Sequence, residues 1–470
     1  MKFNLDFIVE STNAELLSSP HTSFKSYSID NRENNIKDCL FIPLVGEVHD
    51  AHKFVSSAIE NGATGVLVHK WESEWESLKE KATFIKVEDT LKALQSFSKA
   101  WRKELNGKVL ALTGSNGKTT TKDFLGQILS QFGSTHVSYG SFNNHWGVPF
   151  TLLDCDKSTE FCVTEMGMNH AGEISLLMSI ADPDYVTVTN VGKAHMGNFS
   201  NGIEGVAAAK EEIYESAKAQ ARLLFNIDNK WTLEMYKKYM DRASFTYSTK
   251  NFSADVYFKK KNQTETGMLI EGQIGGVLGK KEVHFWGDQN IENLAAAVTL
   301  AYIGGCKPEK IWDVLDHCHT GWGRNQWLKL ESGGKVLFDG YNANPDSFQQ
   351  LLDNITTLVQ SEQKCVAIFG EMLELGDKTS EEHYQLGLKA GSLPWEECLF
   401  IGPSAADFER GFKDSKNHKK PVILNTYKES LDLDLLSMVD NESQFIVKGS
   451  RGGALERVVE RLKPIGFLPK

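Results

Sequence analysis

A three-domain α/β architecture is what this sequence predicts, and three observations carry the prediction. The chain has 470 residues, about three units of ordinary domain size. Short apolar runs alternate with amphipathic stretches, the pattern of strands joined by crossover helices. One junction, Thr113–Lys122, carries glycines in the manner of a phosphate-binding turn. Shifts in texture place boundaries near residues 106 and 322, giving units 1–106, 107–322 and 323–470.

In the first unit Thr64–Val68 and Thr83–Val87 read as strands. Leu91, Leu94, Phe97, Ala100 and Trp101 then recur at helical spacing and lead toward the second unit. There Val109–Thr113 is an apolar run that must be a buried strand if the loop after it binds phosphate. Lys118–Phe132 is its crossover helix, and Phe161–Thr164 and Tyr185–Thr189 continue a mainly parallel sheet. Met268–Phe285, with Gly272, Gly275, Gly276 and Gly279 between short apolar pieces, predicts a hairpin or a small antiparallel part. Asn293–Ile303 is an alanine-rich helix. In the third unit Val336–Asp339, Cys365–Phe369, Cys398–Ile401, Val422–Leu424 and Phe445–Val447 are short β runs between helical stretches, a further doubly wound pattern.

Composition excludes several classes. Lys plus Arg total 51 against 62 Asp plus Glu, a net charge of −11, so no nucleic-acid partner is expected. Apolar residues at 41 % and charged residues at 24 % are ordinary for a folded chain. No stretch approaches the roughly 18 apolar residues of a membrane helix, and Met1–Thr12 lacks the basic and apolar regions of a secretory signal. The seven cysteines are scattered and odd in number, which predicts a reducing compartment, the cytoplasm. His317-Cys318-His319 lacks a second ligand pair at zinc spacing. Lys259-Lys260-Lys261 reads as a solvated edge or loop, and most Trp and Phe residues as core.

The chemistry concentrates at Gly114, Ser115, Asn116, Gly117, Lys118, Thr119 and Thr120. Glycines let the backbone turn tightly and aim its N–H groups inward, and the helix N-terminus adds partial positive charge. Lys118 would reach the outer phosphates and Thr119 could place its hydroxyl on Mg²⁺. The general consensus has its first glycine where Leu112 stands, with Gly114 supplying the early turn. Glu165 follows a strand and offers the carboxylate oxygen that Mg²⁺ accepts; on position alone a solvent-facing glutamate is the better reading. His195, past the strand Tyr185–Thr189, and Lys210, on a helix after three alanines, read by themselves as an ordinary structural histidine and an exposed lysine.

The Thr113–Lys122 loop, Glu165-Met166-Gly167-Met168-Asn169 and the segment Asn190–Asn198 together resemble the Mur ligase family, ATP-dependent amide ligases that build the peptide stem of peptidoglycan. Asp339-Gly340-Tyr341-Asn342-Ala343-Asn344-Pro345, Gly370-Glu371-Met372-Leu373-Glu374-Leu375-Gly376 and Lys448-Gly449-Ser450-Arg451-Gly452 resemble it too, as do Gly46-Glu47 and Asp50-Ala51-His52. The resemblance spans all three units. It implies a first domain that binds the UDP end of a muramoyl peptide, a central P-loop ATPase domain and a Rossmann-like third domain that closes over the site. It implies ATP and Mg²⁺ as cofactors, and as partners UDP-N-acetylmuramoyl-tripeptide and D-alanyl-D-alanine, joined through an acyl phosphate by a monomeric enzyme.

By the same resemblance Lys118 would hold ATP phosphates, and Thr119 and Glu165 one Mg²⁺. His195 and a carbamylated Lys210 would support a second. Asn290 and Asn293 would face adenine, Arg324 phosphate and Asp339 the ribose. Asp30, Asn31 and Arg32 would meet the UDP-sugar, and Asn342 and Asn344 the peptide substrates. The sequence departs from the family pattern at Asn31, Asp38, Gln289 and Phe338. Two other readings stay open: a sister ligase that adds a different amine, and an ATP-gated binding module that makes no amide.

Overall fold

Val, Ile, Leu and Phe fill the short runs on both faces, and such strands need helices on each side. The computed structural model describes residues 1–32, 36–46, 49–193, 196–263, 267–359, 364–415, 421–426, 428 and 443–468. Among the described residues the runs pair into three α/β sheets and a two-stranded ribbon, Phe3–Asn4 with Ser23–Phe24.

The first sheet runs, edge to edge, Glu15–Leu16, Thr83–Lys86, Gly65–Val68, Cys39–Phe41 and Ser26–Ser28. It is parallel apart from the first pair. The predicted helix is Thr90–Glu104. Asp89 caps it, its side chain accepting from the Leu91 and Lys92 amides, a common N-terminal device. Its buried stripe, Leu94, Phe97 and Trp101, joins the two lobes. Trp101 Nε1 donates to the Cys155 carbonyl at 3.0 Å, and Arg102 pairs with Asp184 at 3.0 Å.

In the second sheet the strand Lys108–Thr113 lies between Phe161–Glu165 and Tyr185–Val188, parallel to both. Thr135–Val137 closes one edge, and Arg222–Asn226 and Ser244–Ser248 extend the other. Chain connections diverge at Lys108–Thr113, so a crevice opens at its carboxyl end, where open α/β sheets bind ligands. The glycine-rich stretch forms the expected hairpin. Met268–Ile274 and Val277–Val283 pair antiparallel across Gly275 and Gly276, both at positive φ, as tight hairpin turns require. With Val256–Gln263 they make the antiparallel part of a mainly parallel sheet of nine strands. Lys259, Lys260 and Lys261 therefore lie within an interior strand, not an edge or loop. They remain solvated and pair with Glu271 and Asp288. The alanine-rich helix begins earlier than predicted, at Asp288, because Gly287 at φ +94° turns the chain there.

The third sheet runs Gln326–Lys329, Lys335–Asp339, Gln444–Lys448, Cys365–Gly370, Glu397–Ile401 and Val422–Leu424, parallel after the first pair. Every strand run predicted in this lobe is present; Val422–Leu424 keeps its bounds and the others extend by one residue at one or both ends. None of the seven cysteines forms a disulfide and all are buried. Among the described residues no helix is long and apolar enough to cross a membrane.

Candidate active site

Strand Lys108–Thr113 delivers the glycine loop to the N-terminus of helix Lys118–Leu129. Two glycines are required by their surroundings. A Cβ on Gly114 would strike Thr189 Oγ1, and one on Gly117 would strike Asn293 Oδ1; Gly117 also has φ +80°. The loop is tied to the segment after Tyr185–Val188. The Ser115 amide donates to the Asn190 carbonyl at 2.9 Å and the Asn116 amide to Asn190 Oδ1 at 3.0 Å. The Thr189 hydroxyl donates to the Asn116 carbonyl at 2.7 Å. These bonds hold the turn in shape before any ligand arrives.

Lys118 folds back, its Nζ donating to the Gly114 carbonyl at 2.8 Å. Burial pushes its amine below the usual lysine range; Glu165 opposes the shift and Arg324 adds to it. Thr119 Oγ1 donates to Glu165 Oε2 at 2.8 Å, and Asn143 Nδ2 donates to Oε1 at 2.8 Å. Glu165 is the last residue of its strand and is buried, not solvent-facing. A hydroxyl and a carboxylate converging beside a phosphate loop are hard oxygen donors, the set Mg²⁺ prefers.

A cavity of about 430 Å³ extends from this loop. Ser115, Asn116, Gly117, Lys118, Thr119 and Thr120 form one wall. Asn290 and Asn293 face it from helix Asp288–Ile303, Asn293 donating to Asn290 at 3.1 Å. The third lobe closes it with Arg324, Asp339, Asn342 and Lys448. The Arg324 guanidinium stacks 4.1 Å from the Tyr341 ring centre. Asp339 accepts from the buried Lys448 Nζ and from the Asn325 amide.

Lys118 also lines a second cavity of about 390 Å³, together with Asn143, Met168, Asn169, Glu173 and Lys210. Lys210 is 1 % exposed, unlike the surface lysine that its position on a helix suggested. Burial, reinforced by the charge of Lys118, pushes its amine well below the usual range. A shift in that direction favours the uncharged amine, the form that can take up CO₂. His195 lies outside the described residues, as does Glu47.

Asn344 reaches the phosphate loop, Nδ2 donating to Asn116 Oδ1 at 2.7 Å. Asp30 pairs with Arg32 at 2.7 Å, and this partner pulls its carboxyl down to about 2. Asn31 donates to Ser57 at 2.8 Å. These three follow the first-lobe strand Ser26–Ser28 and line neither cavity. Gln289 lines the nucleotide-sized cavity, whereas Phe338 is wholly in the core. Sequence reasoning did not single out Asn143 or Ser141 as site residues. Only the fold brings their loop against Glu165 and Tyr341. His52, in the Asp50-Ala51-His52 motif, clusters with Asp50 and His69. Both its ring nitrogens are engaged, by the Asp50 carboxylate and the His69 amide.

Three α/β lobes around a strand–glycine loop–helix junction define the class of phosphate-loop α/β proteins. Residues 112–301 match the Mur ligase middle domain and residues 323–451 the Mur ligase glutamate ligase domain. The chain is 33 % identical over 426 residues, 90 % of each chain, to the UDP-N-acetylmuramoyl-tripeptide–D-alanyl-D-alanine ligase of Bacillus subtilis (strain 168). Its structure is similar to that of MurF from Acinetobacter baumannii, with a TM-score of 0.87 at 28 % identity over 98 % of this chain and 99 % of the other. It is also similar to MurF ligase from Thermotoga maritima in complex with ADP, with a TM-score of 0.80 at 25 % identity over 93 % and 96 %. The chain belongs to the Mur ligase family.

Proposed function

We propose that this enzyme joins D-alanyl-D-alanine to the terminal carboxylate of UDP-N-acetylmuramoyl-tripeptide at the expense of ATP, a step of peptidoglycan precursor synthesis. The observation that carries the reading is one convergence. Lys118, the Thr119–Glu165 pair and Arg324 come from two lobes to a single cavity, and Lys118 is shared with the adjoining cavity that Lys210 lines. The relatives' named activity supports the choice of substrates.

A carboxylate is a poor electrophile. Transfer of the γ-phosphoryl group to a carboxylate oxygen gives an acyl phosphate and ADP. The dipeptide's amine then attacks the carbonyl carbon, its proton passing to a base, and the tetrahedral adduct collapses with release of phosphate. Lys118 and Arg324 neutralise charge on the transferring group, and the ordered loop amides align it. Asn290 and Asn293 would face adenine and Asp339 the ribose. Thr119 and Glu165 would hold Mg²⁺, which supplies further charge neutralisation when bound. His195 and carbamylated Lys210 would serve a second ion.

In this reading residues 1–106 take the UDP end through Asp30, Asn31 and Arg32, 107–322 hold ATP, and 323–470 present the amine with the help of Asn342. The enzyme acts as a monomer in the cytoplasm, a compartment its seven buried thiols suit. Mass spectrometry of reactions containing ATP, UDP-N-acetylmuramoyl-tripeptide and candidate amines tests the reading. Amide product is expected with D-alanyl-D-alanine and not with Lys118→Ala. ATP hydrolysis that needs neither substrate overturns it and favours an ATP-gated module.

A further inference from the structure

Residues Tyr341–Asp346 leave the carboxyl end of strand Lys335–Asp339 and start helix Pro345–Val359. Asn344 caps that helix, its Oδ1 accepting from the Ser347 amide at 2.9 Å. Three side chains of the stretch cross to the second lobe. Tyr341 Oη lies 2.7 Å from Ser141 Oγ, Asn344 Nδ2 donates to Asn116 Oδ1 at 2.7 Å, and Asp346 Oδ2 accepts the Lys193 amide at 2.7 Å.

Each partner belongs to a different loop of the site. Ser141 is two residues from Asn143, which donates to Glu165. Asn116 is in the phosphate loop, its backbone already fixed by Asn190 and Thr189. Lys193 follows Gly192, whose amide donates to Ser115 Oγ at 2.8 Å. Gly192 leaves no room for more, since a Cβ there would strike the Asp346 carboxylate. One short segment of the third lobe thus touches all three loops, and each contact forms only when the lobes are together.

We propose that Tyr341, Asn344 and Asp346 are positioning residues. They form a three-point clasp that holds the third lobe over the site and excludes water while the acyl phosphate exists. The proposal rests on the ligase reading above. With the clasp weakened, water replaces the amine: it attacks the acyl phosphate, the bond between the acyl carbon and the phosphate oxygen breaks, and phosphate and the original carboxylate result. The net loss is ATP hydrolysis without amide.

The test counts phosphate released per amide formed, in the full-length chain with ATP, UDP-N-acetylmuramoyl-tripeptide and D-alanyl-D-alanine. Tyr341→Phe keeps the ring that stacks on Arg324 and loses only the hydroxyl. Asp346→Ala and Gly192→Ala break the third contact, between Asp346 and the Lys193 amide, from opposite sides. The unaltered enzyme is expected to release one phosphate per amide. Each variant is expected to raise that ratio about twofold or more and to lower kcat about tenfold, with KM for ATP nearly unchanged in Tyr341→Phe. A merely structural defect lowers the active fraction and leaves the ratio at one. A ratio of one in all three variants overturns the clasp. Small-angle scattering of the nucleotide-bound chain supplies the second arm: the variants should be more extended than the parent, and equal dimensions count against the proposal. Should the parent make no amide at all, the ligase reading fails and scattering alone decides whether the clasp exists.

Discussion

The Thr119 hydroxyl and the Glu165 carboxylate meet at 2.8 Å where helix Lys118–Leu129 starts and strand Phe161–Glu165 ends. Residues 46 apart in sequence thus offer oxygen donors to one point beside the phosphate loop. Glu165→Gln retains an oxygen that can accept from Thr119, so the fold should persist. Its kcat should fall about 100- to 1,000-fold, the usual scale for losing charge stabilisation at a transferring group. Magnesium titration of initial rates checks this, the variant needing more metal for half-maximal rate.

Gly117 sits at φ +80° against Asn293. Gly117→Ala should cost about 1–2 kcal/mol of stability from left-handed strain and weaken ATP binding by displacing Asn293. Thermal unfolding and calorimetric titration with ATP measure the two effects separately.

Buried Lys448 pairs with Asp339 and also donates to the Asn342 carbonyl at 3.2 Å. Lys448→Met leaves the Asp339 charge uncompensated and should destabilise the third lobe by about 3–5 kcal/mol. Adding Asp339→Asn should recover part of that loss. Chemical denaturation of the single and double variants checks the coupling.

Glu292 accepts from Asn226 Nδ2 at 2.7 Å, and burial pushes its carboxyl up to about 7. Between the ordinary glutamate range and pH 7 the native state therefore binds more protons than the unfolded chain. Stability must fall as pH rises through that window. Glu292→Gln should match the parent near pH 4 and exceed it by about 2–3 kcal/mol at pH 8. Urea unfolding at both pH values reads the difference.

How much of this was legible beforehand depends on how local each feature is. Gly114–Thr120 was readable because glycines, a lysine and hydroxyls in one short run are the whole device. The strands of the third lobe were readable because continuous apolar runs between helices have few other homes. Lys210 was not. A helical lysine looks solvated until packing buries it to 1 % exposure. The Ser141–Tyr341 contact spans 200 residues and follows from the lobes' arrangement, which no local pattern encodes. The hairpin was legible from its glycines, while its attachment to the sheet through Val256–Gln263 was a tertiary choice.

The central claim is that an organic carboxylate receives the γ-phosphoryl group. Following ¹⁸O from the tripeptide's labelled terminal carboxylate during turnover tests it most directly. One labelled oxygen should appear in inorganic phosphate for each amide made. Amide formation with unlabelled phosphate would contradict the account.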